Sequence, residues 1–165
     1  MKTLYTIGYE GATLDDFLTT LRQAGVTLLL DIREMPISRR KGFSKSALKQ
    51  AVEAISIEYL HEKRLGSPKT IRDQLRRDHD YTTFFKHFNH YLETQTDLLQ
   101  TLAAQLPGQV ALLCYERDPQ TCHRREVARA LAELTGLTPR HLGVCKGHGT
   151  RPPKTTARMD SGQGV

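Results

Sequence analysis

Two nearly continuous apolar runs constrain the fold of this chain more than any other feature. One covers residues 26–32 and the other residues 110–114. Runs without regular polar alternation are typical of strands that are covered on both faces, as in a parallel sheet. Because parallel neighbours need a long crossover connection, usually a helix, the runs predict strands that alternate with helices.

The rest of the chain fits this order. Shorter apolar segments predict further strands, and segments with apolar residues at helical spacing predict the helices between them. The predicted strands are 4–7, 26–32, 57–60, 110–114 and 139–142, and the predicted helices are 13–25, 44–55, 70–106 and 122–134. We therefore expect a single-domain, three-layer α/β fold, with a mostly parallel sheet and helices on both faces.

Length and composition agree with one globular domain. The chain has 165 residues, of which 38% are apolar and 25% charged, a balance that excludes a disordered or coiled-coil chain. Its apolar runs are far shorter than the ~20 residues that span a bilayer, and the N-terminus has no apolar signal segment. We expect a cytoplasmic protein with no membrane partner, whose three cysteines are free thiols.

Charge is unevenly distributed along the chain. Residues 146–165 carry half of the net charge of +6, include several glycines and prolines, and show no apolar period. Residues 1–144 are therefore predicted to form the domain and residues 145–165 a disordered basic tail, whose removal should leave the stability unchanged. The weakly basic body argues against a dense nucleic-acid-binding surface, and it suits a small anionic ligand.

Polar residues concentrate where the predicted strands end. Because the carboxyl ends of parallel strands share one edge of the sheet, where ligands of such sheets bind, these residues predict one common cleft. In chain order they are Gly8, Tyr9, Glu10, Asp31, Arg33, His61, Cys114 and Glu116. The alternative interpretation is a set of solvated loops with an internal carboxylate–arginine network.

The segment that starts the last predicted helix is the strongest candidate for an anion site. Cys122, His123 and Arg124 fall in its first turn, beside unpaired backbone donors. Basic side chains are unfavourable at this end of a helix unless an anion offsets their charge. That anion is either a phosphate, sulfate or carboxylate of a ligand, or an internal carboxylate such as Glu116 or Asp31.

The basic loop at residues 38–44 is a second candidate for anion binding. Ser38 and Arg39 begin this loop, which contains three cations and ends on a serine that can cap the next helix. Its alternative interpretation is a solvated charged loop.

Two cysteines are candidates for a nucleophile. Cys122 has the better electrostatic setting, because a helix N-terminus and neighbouring cations lower the pKa of a thiol. Cys114 has the better geometric setting, at a strand end that faces the predicted cleft. Glu116 or His61 would then transfer the proton. The alternative for each cysteine is a small buried side chain in the core.

The sequence predicts no metal site and no cofactor. Cys145 and His148 make up half of a zinc-binding pattern, and no second spaced pair completes it.

Taken together, the strand-end residues resemble a known protein family. The matching residues are Gly8-Tyr9-Glu10-Gly11, Asp31-Ile32-Arg33 with Pro36 and Ser38, Gly42-Phe43-Ser44, Tyr59 with His61, Leu65-Gly66, and Cys114-Tyr115-Glu116 with Pro119, Cys122, His123 and Arg124. This pattern resembles the bacterial and archaeal "domain of unknown function 488" family over about residues 1–144. The resemblance implies a compact α/β protein and names no activity.

A second resemblance is to rhodanese-like domains. Asp31-Ile32-Arg33 and Leu112-Leu113-Cys114 look like the two strand ends that frame an anion-binding loop in those domains. The loop after Cys114 departs from that pattern, because it is longer and carries Glu116 and Asp118 where a sulfur-transfer loop presents backbone donors. The resemblance implies an anion loop, and the departure argues against sulfur transfer.

Three hypotheses of function follow. In the first, the cleft binds a phosphate-bearing small molecule or a nucleotide, with cysteine-dependent chemistry as an additional step. In the second, the same cations bind the phosphates of a nucleic acid and the cysteines are structural. In the third, the cleft is an internal ion network of a structural or partner-binding protein. The low overall basicity favours the first hypothesis over the second.

Overall fold

The computed structural model describes residues 2–147 and residue 149. Within this part of the chain five strands alternate with helices, as the apolar pattern predicts. The strands are β1 (Thr3–Gly8), β2 (Leu28–Asp31), β3 (Glu58–His61), β4 (Gln109–Cys114) and β5 (Arg140–Leu142). The α-helices are α1 (Leu14–Gln23), α2 (Lys45–Glu53), α3 (Lys69–Asp78), α4 (Tyr81–Glu93), α5 (Thr96–Gln105) and α6 (Arg124–Thr135).

The strands form one parallel sheet with a three-layer arrangement. Their order is β3-β2-β4-β1-β5, and every pair of neighbours is parallel. Leu28 and Leu30 belong to a core shared with α4, α5 and α6, whereas Leu29 belongs to a core shared with α1 and α2. This alternation explains why the strand is apolar at successive positions, and it confirms the predicted α/β fold.

The topology creates a crevice at one point of the sheet edge. The connection after β2 leads through α2 to β3 at one edge, and the connection after β4 leads through α6 to β5 at the other. β2 and β4 are neighbours, so their connections diverge and leave a gap between their carboxyl ends. Ligands of open parallel sheets bind at such switch points.

The long helix predicted over residues 70–106 is three helices instead of one. His79 ends α3 in the left-handed conformation, with φ 54°, and its N–H donates to the carbonyl of Leu75. Asp80 then caps α4 by accepting a hydrogen bond from the backbone N–H of Thr83. This break sets α3 beside the end of the sheet as a separate wall. No helix of residues 2–147 is long and apolar enough to cross a membrane.

The predicted tail begins with residues that contact the domain. The backbone N–H groups of Gly147 and Gly149 donate to the carboxylate of Asp16, at 2.9 and 2.6 Å, and Asp16 is buried in α1. The prediction of disorder for residue 148 and residues 150–165 lies outside the described residues. The start of the predicted tail is therefore part of the packed structure.

Removal of residues 146–165 is accordingly expected to destabilise the protein, contrary to the prediction from the sequence. The loss should be about 1–3 kcal/mol in the free energy of unfolding, because a buried carboxylate loses two donors. Urea unfolding of this truncation, compared with one that removes only residues 152–165, measures the effect. Equal stability of the two truncated chains would show that the two hydrogen bonds contribute nothing.

Candidate functional site

A cleft of about 700 Å³ lies at the carboxyl edge of the sheet, within the size range of small-molecule sites. Cys114, at the end of β4, and His123 form its inner end. Residues 33–39, which follow β2, line one side, and residues of α3 and α4 line another. The two strand ends on either side of the topological switch point thus meet in one cavity.

The cleft contains about half of the residues predicted from the strand ends. Those that line it are Tyr9, Arg33, Ser38, Arg39, Cys114, Glu116 and His123. Those that do not are Gly8, Glu10, Asp31, His61, Cys122 and Arg124. Several of the second group hold residues of the first group in place.

Asp31 and Arg33 form a buried ion pair behind the cleft wall. The Asp31 carboxylate accepts hydrogen bonds from Nε and Nη2 of Arg33, at 2.9 and 2.7 Å, and from the hydroxyl of Tyr59. Arg33 also donates to the carbonyl of Phe43 and to the hydroxyl of Tyr9. The guanidinium is therefore used internally, as the ion-network interpretation predicts for this pair.

Burial and the charge of Asp31 shift the pKa of Arg33 in opposite directions. Burial lowers the pKa of Arg33, but the hydrogen bonds and charge of Asp31 outweigh it, so that the net direction is upward. Burial and the neighbouring Asp31 carboxylate both raise the pKa of Tyr59. Arg33 therefore stays charged and Tyr59 stays neutral at neutral pH, and the network is a rigid support for the loop that follows β2.

His61 and Glu10 position backbone segments around the cleft. Nε2 of His61 donates to the carbonyl of Arg33 at 2.8 Å. The Glu10 carboxylate accepts a hydrogen bond from the backbone N–H of Arg117 at 2.9 Å. Neither side chain lines the cleft. We therefore assign both a positioning role, in place of the proton transfer and ligand contact expected from the sequence.

Arg124 is fully buried and ties the loop after β4 to the sheet. Its guanidinium donates to Oγ1 of Thr6 at 3.1 Å and to the carbonyls of Glu116 and Arg117. Gly8 lies against the same loop, since a Cβ there would come within 1.8 Å of the Glu116 carbonyl oxygen. The sequence predicts Arg124 as an anion ligand, whereas its donors are engaged by the protein itself.

The two cysteines differ in their access to the cleft. Cys114 lines it, and its Sγ lies 3.4 Å from Oε1 of Glu116. Cys122 lies behind it, only 1% exposed, and its Sγ accepts a hydrogen bond from the backbone N–H of Arg124 at 3.4 Å. Burial raises the pKa of Cys122 well above its ordinary value, and the contact with Cys114 adds to this. The expectation of a lowered pKa at Cys122 is wrong because desolvation exceeds the field of the helix start.

His123 lies between the cysteines and the aromatic core. Its ring packs edge-on against Phe88, with 5.2 Å between centroids, and its Nε2 donates to the carbonyl of Ile32 at 3.1 Å. Burial lowers the pKa of His123, while Cys122 and the Ile32 carbonyl raise it, and the net direction is upward. The imidazole is thus held in one orientation beside the two thiols.

Two features of the site are absent from the sequence prediction. The first is the wall of α3 and α4, whose helices contribute five lining residues: Arg72, Leu75, Arg76, Tyr81 and Phe84. The second is the close approach of Cys114, Cys122 and His123, whose ligand atoms lie within 4.8 Å of one another. The sequence contains a signal for this cluster, because the adjacent pair Cys122-His123 follows the strand-end residue Cys114 a few residues later.

The fold and the cleft define a three-layer α/β protein with a polar site at the carboxyl edge of a parallel sheet. A family model described as "Domain of unknown function DUF488" matches residues 13–131, and the chain belongs to this family. This confirms the first resemblance seen in the sequence. No curated protein and no solved structure matches the chain. The comparisons do not show the similarity to rhodanese-like domains.

Proposed function

We propose that this protein binds a phosphate-bearing small molecule with an aromatic part, of the nucleotide class, in the cleft. The main support for this proposal is the distribution of the exposed apolar side chains. Six large apolar side chains are exposed among the described residues, and four of them line this cleft: Met35, Ile37, Tyr81 and Tyr115. Exposed apolar residues that gather around one cavity are typical of a ligand-binding surface.

Two arginines of the cleft are available for an anion. Arg39 is exposed and has no ion-pair partner among the described residues. Arg76 is 72% exposed and pairs with Asp73 on the same helix, an exposed pair of the kind that contributes little. The other two arginines of the cleft are committed, since Arg33 pairs with Asp31 and Arg72 with Glu34.

Tyr115 offers a supported aromatic surface. Its ring packs edge-on against Tyr9, with 5.3 Å between centroids, and Tyr9 in turn stacks on Phe43 at 4.5 Å. A ring braced in this way loses little conformational freedom when a flat ligand stacks on it. Stacking of a base on an aromatic side chain contributes ~1–3 kcal/mol. A nucleotide-binding site uses an aromatic surface for the base and cationic groups for the phosphates, and this cavity contains both.

A small ligand fits this site better than a nucleic acid does. Acidic residues lie among the basic residues of α3, because Asp73 contacts both Lys69 and Arg76, and Glu34 contacts Arg72. A nucleic-acid surface needs cations that are available along a continuous stripe. The carboxylates of Asp73 and Glu34 interrupt such a stripe on this side of the cleft.

Nucleophilic chemistry at Cys114 has less support than binding. The Cys114 side chain is buried, and its thiol donates a hydrogen bond to Oε1 of Glu116 at 3.4 Å. Cys114 is nevertheless the cysteine that a ligand in the cleft would meet, and not Cys122.

Calorimetric titration with ADP, inorganic phosphate and a single-stranded DNA oligonucleotide tests the proposal. ADP should bind more tightly than phosphate, because only ADP reaches both the arginines and the tyrosines. Arg39→Ala and Arg76→Ala should each weaken ADP binding by about tenfold to a hundredfold, the effect of losing a charge-assisted hydrogen bond. Tyr115→Ala should weaken ADP binding and leave phosphate binding unchanged.

The matched controls are Lys41→Ala and Arg77→Ala. Both are exposed cations close to the tested ones along the chain, since Lys41 is two residues after Arg39 and Arg77 directly follows Arg76, and neither lines the cleft. Equal losses in the control and test variants would contradict a specific site. Binding of the oligonucleotide alone, with a steep dependence on salt, would favour the nucleic-acid hypothesis instead.

A further inference from the structure

Three donors that suit a soft metal ion meet at the inner end of the cleft. The Sγ atoms of Cys114 and Cys122 and a ring nitrogen of His123 lie within 4.8 Å of one another, and all three side chains are buried. Nδ1 of His123 lies 3.5 Å from the first sulfur and 3.9 Å from the second. Three buried polarisable donors in contact form a more specific arrangement than isolated core cysteines.

The imidazole of His123 is oriented by a hydrogen bond of its Nε2, an atom that also lies 3.8 Å from the Cys114 sulfur. The Ile32 carbonyl can only accept, so Nε2 carries a proton and donates it at 3.1 Å. In the neutral ring the lone pair is then on Nδ1, whose contacts among the described residues are the two sulfur atoms. Histidines that bind metals commonly donate their other N–H to a backbone carbonyl or a carboxylate in this way.

Both cysteines are carried by well-defined backbone segments. Cys114 is the last residue of β4, where its register with Gly8 of β1 fixes its place. Cys122 lies two residues before the start of α6, and the N–H of Arg124 donates to its Sγ at 3.4 Å. This contact fixes the position of the Cys122 sulfur. The supporting contacts of a metal site are thus present for both residues.

We propose that Cys114, Cys122 and His123 bind a zinc ion at the inner end of the cleft. Two sulfurs and one imidazole nitrogen select a thiophilic ion over Mg²⁺ or Ca²⁺, which prefer oxygen ligands. Tetrahedral bonds of ~2.3 Å to sulfur and ~2.0 Å to nitrogen separate ligand atoms by roughly 3.5–3.8 Å, close to the spacing in this cluster. Both thiols bind as thiolates, and their protons pass to solvent.

The fourth position of such a zinc ion is on the cleft side. Cys114 and His123 both line the cleft, and Oε1 of Glu116 lies 3.4 Å from the Cys114 sulfur. The fourth ligand therefore comes from Glu116, from water, or from an anionic group in the cleft. Three protein ligands with one position facing a cavity is the arrangement of catalytic zinc sites, while structural sites use four. The zinc site does not rest on the proposed nucleotide, because it can be tested in its absence.

The first experiment measures the zinc content of the full-length protein purified from zinc-supplemented cells. The unsubstituted protein should contain one equivalent of zinc per chain. Cys114→Ser, Cys122→Ser and His123→Ala should each lose most of it. The matched control is Cys145→Ser, which removes the exposed cysteine and should retain the metal. Circular dichroism of each variant shows whether a loss of zinc accompanies a loss of fold.

A second experiment uses the unsubstituted protein, so that variant folding does not matter. A chelator should raise the rate at which Cys114, the thiol that lines the cleft, reacts with a thiol reagent by about tenfold or more, while the rate at Cys145 stays unchanged. Cobalt(II) added to the metal-free protein should give thiolate-to-metal charge-transfer absorption.

Three results would overturn the zinc site. They are a zinc content that the substitutions leave intact, thiol rates that the chelator leaves unchanged, and a native disulfide between Cys114 and Cys122. None of them bears on ADP binding, which the titrations above measure separately.

Discussion

Replacement of Arg124 by methionine should lower the free energy of unfolding by about 3–5 kcal/mol. The guanidinium is fully buried and serves acceptors on two segments, the hydroxyl of Thr6 on β1 and the carbonyls of Glu116 and Arg117 after β4. Methionine fills similar space and leaves the buried acceptors without donors, each of which costs about 1–3 kcal/mol. The loop that carries Glu116 would then lose its attachment to the sheet.

Urea unfolding of three variants measures this effect. Arg124→Lys keeps the charge but not the planar set of donors, so its stability should fall between those of the unsubstituted protein and Arg124→Met. Arg22→Met, at an exposed helical position in α1, is the control and should change stability by less than ~0.5 kcal/mol. A stable Arg124→Met variant would mean that Arg124 is free to serve a ligand, as the sequence predicts.

Replacement of Gly8 by alanine should be nearly as damaging, for a steric reason. A Cβ at this position would stand 1.8 Å from the carbonyl oxygen of Glu116 and 2.8 Å from Nη1 of Arg124. The near atom belongs to backbone, so the loop after β4 must move. Overpacking of this kind costs about 1–3 kcal/mol, and the upper part of that range is expected because the Arg124 hydrogen bonds move as well.

The matched control is Gly143→Ala, where nothing lies within 4 Å of the added Cβ. Thermal unfolding should show a clear decrease in melting temperature for Gly8→Ala and little change for Gly143→Ala. A Gly8→Ala protein of unchanged stability would contradict the close approach of strand and loop.

The fold was largely predictable because its causes are local and repetitive. The run around Leu29 is apolar at successive positions because its side chains enter two cores, and this pattern is visible in the sequence itself. The same pattern places the ends of β2 and β4 on one edge, which is where Arg33, Cys114 and Glu116 line the same cleft. The number of helices between β3 and β4 was not predictable, since the break at His79 depends on a left-handed residue.

The roles of the site residues were harder to predict because they depend on burial. A sequence shows Arg124 and Cys122 at a helix start, where solvent exposure would make one an anion ligand and the other a reactive thiol. Both are buried, and desolvation and internal hydrogen bonds decide their behaviour. The contribution of α3 and α4 to the cleft depends on tertiary packing over a long sequence separation, for which no local signal exists.

The most direct test of the proposed ligand site is an NMR titration of the isotopically labelled protein with ADP. Amide shift changes should concentrate in three segments around the cleft, at residues 33–39, 72–81 and 114–116. The structure offers an internal comparison, a smaller cavity of about 340 Å³ lined by residues of α4, α5 and α6. Shift changes confined to that second cavity, or no change at saturating ADP, would contradict the proposal that the cleft binds a nucleotide.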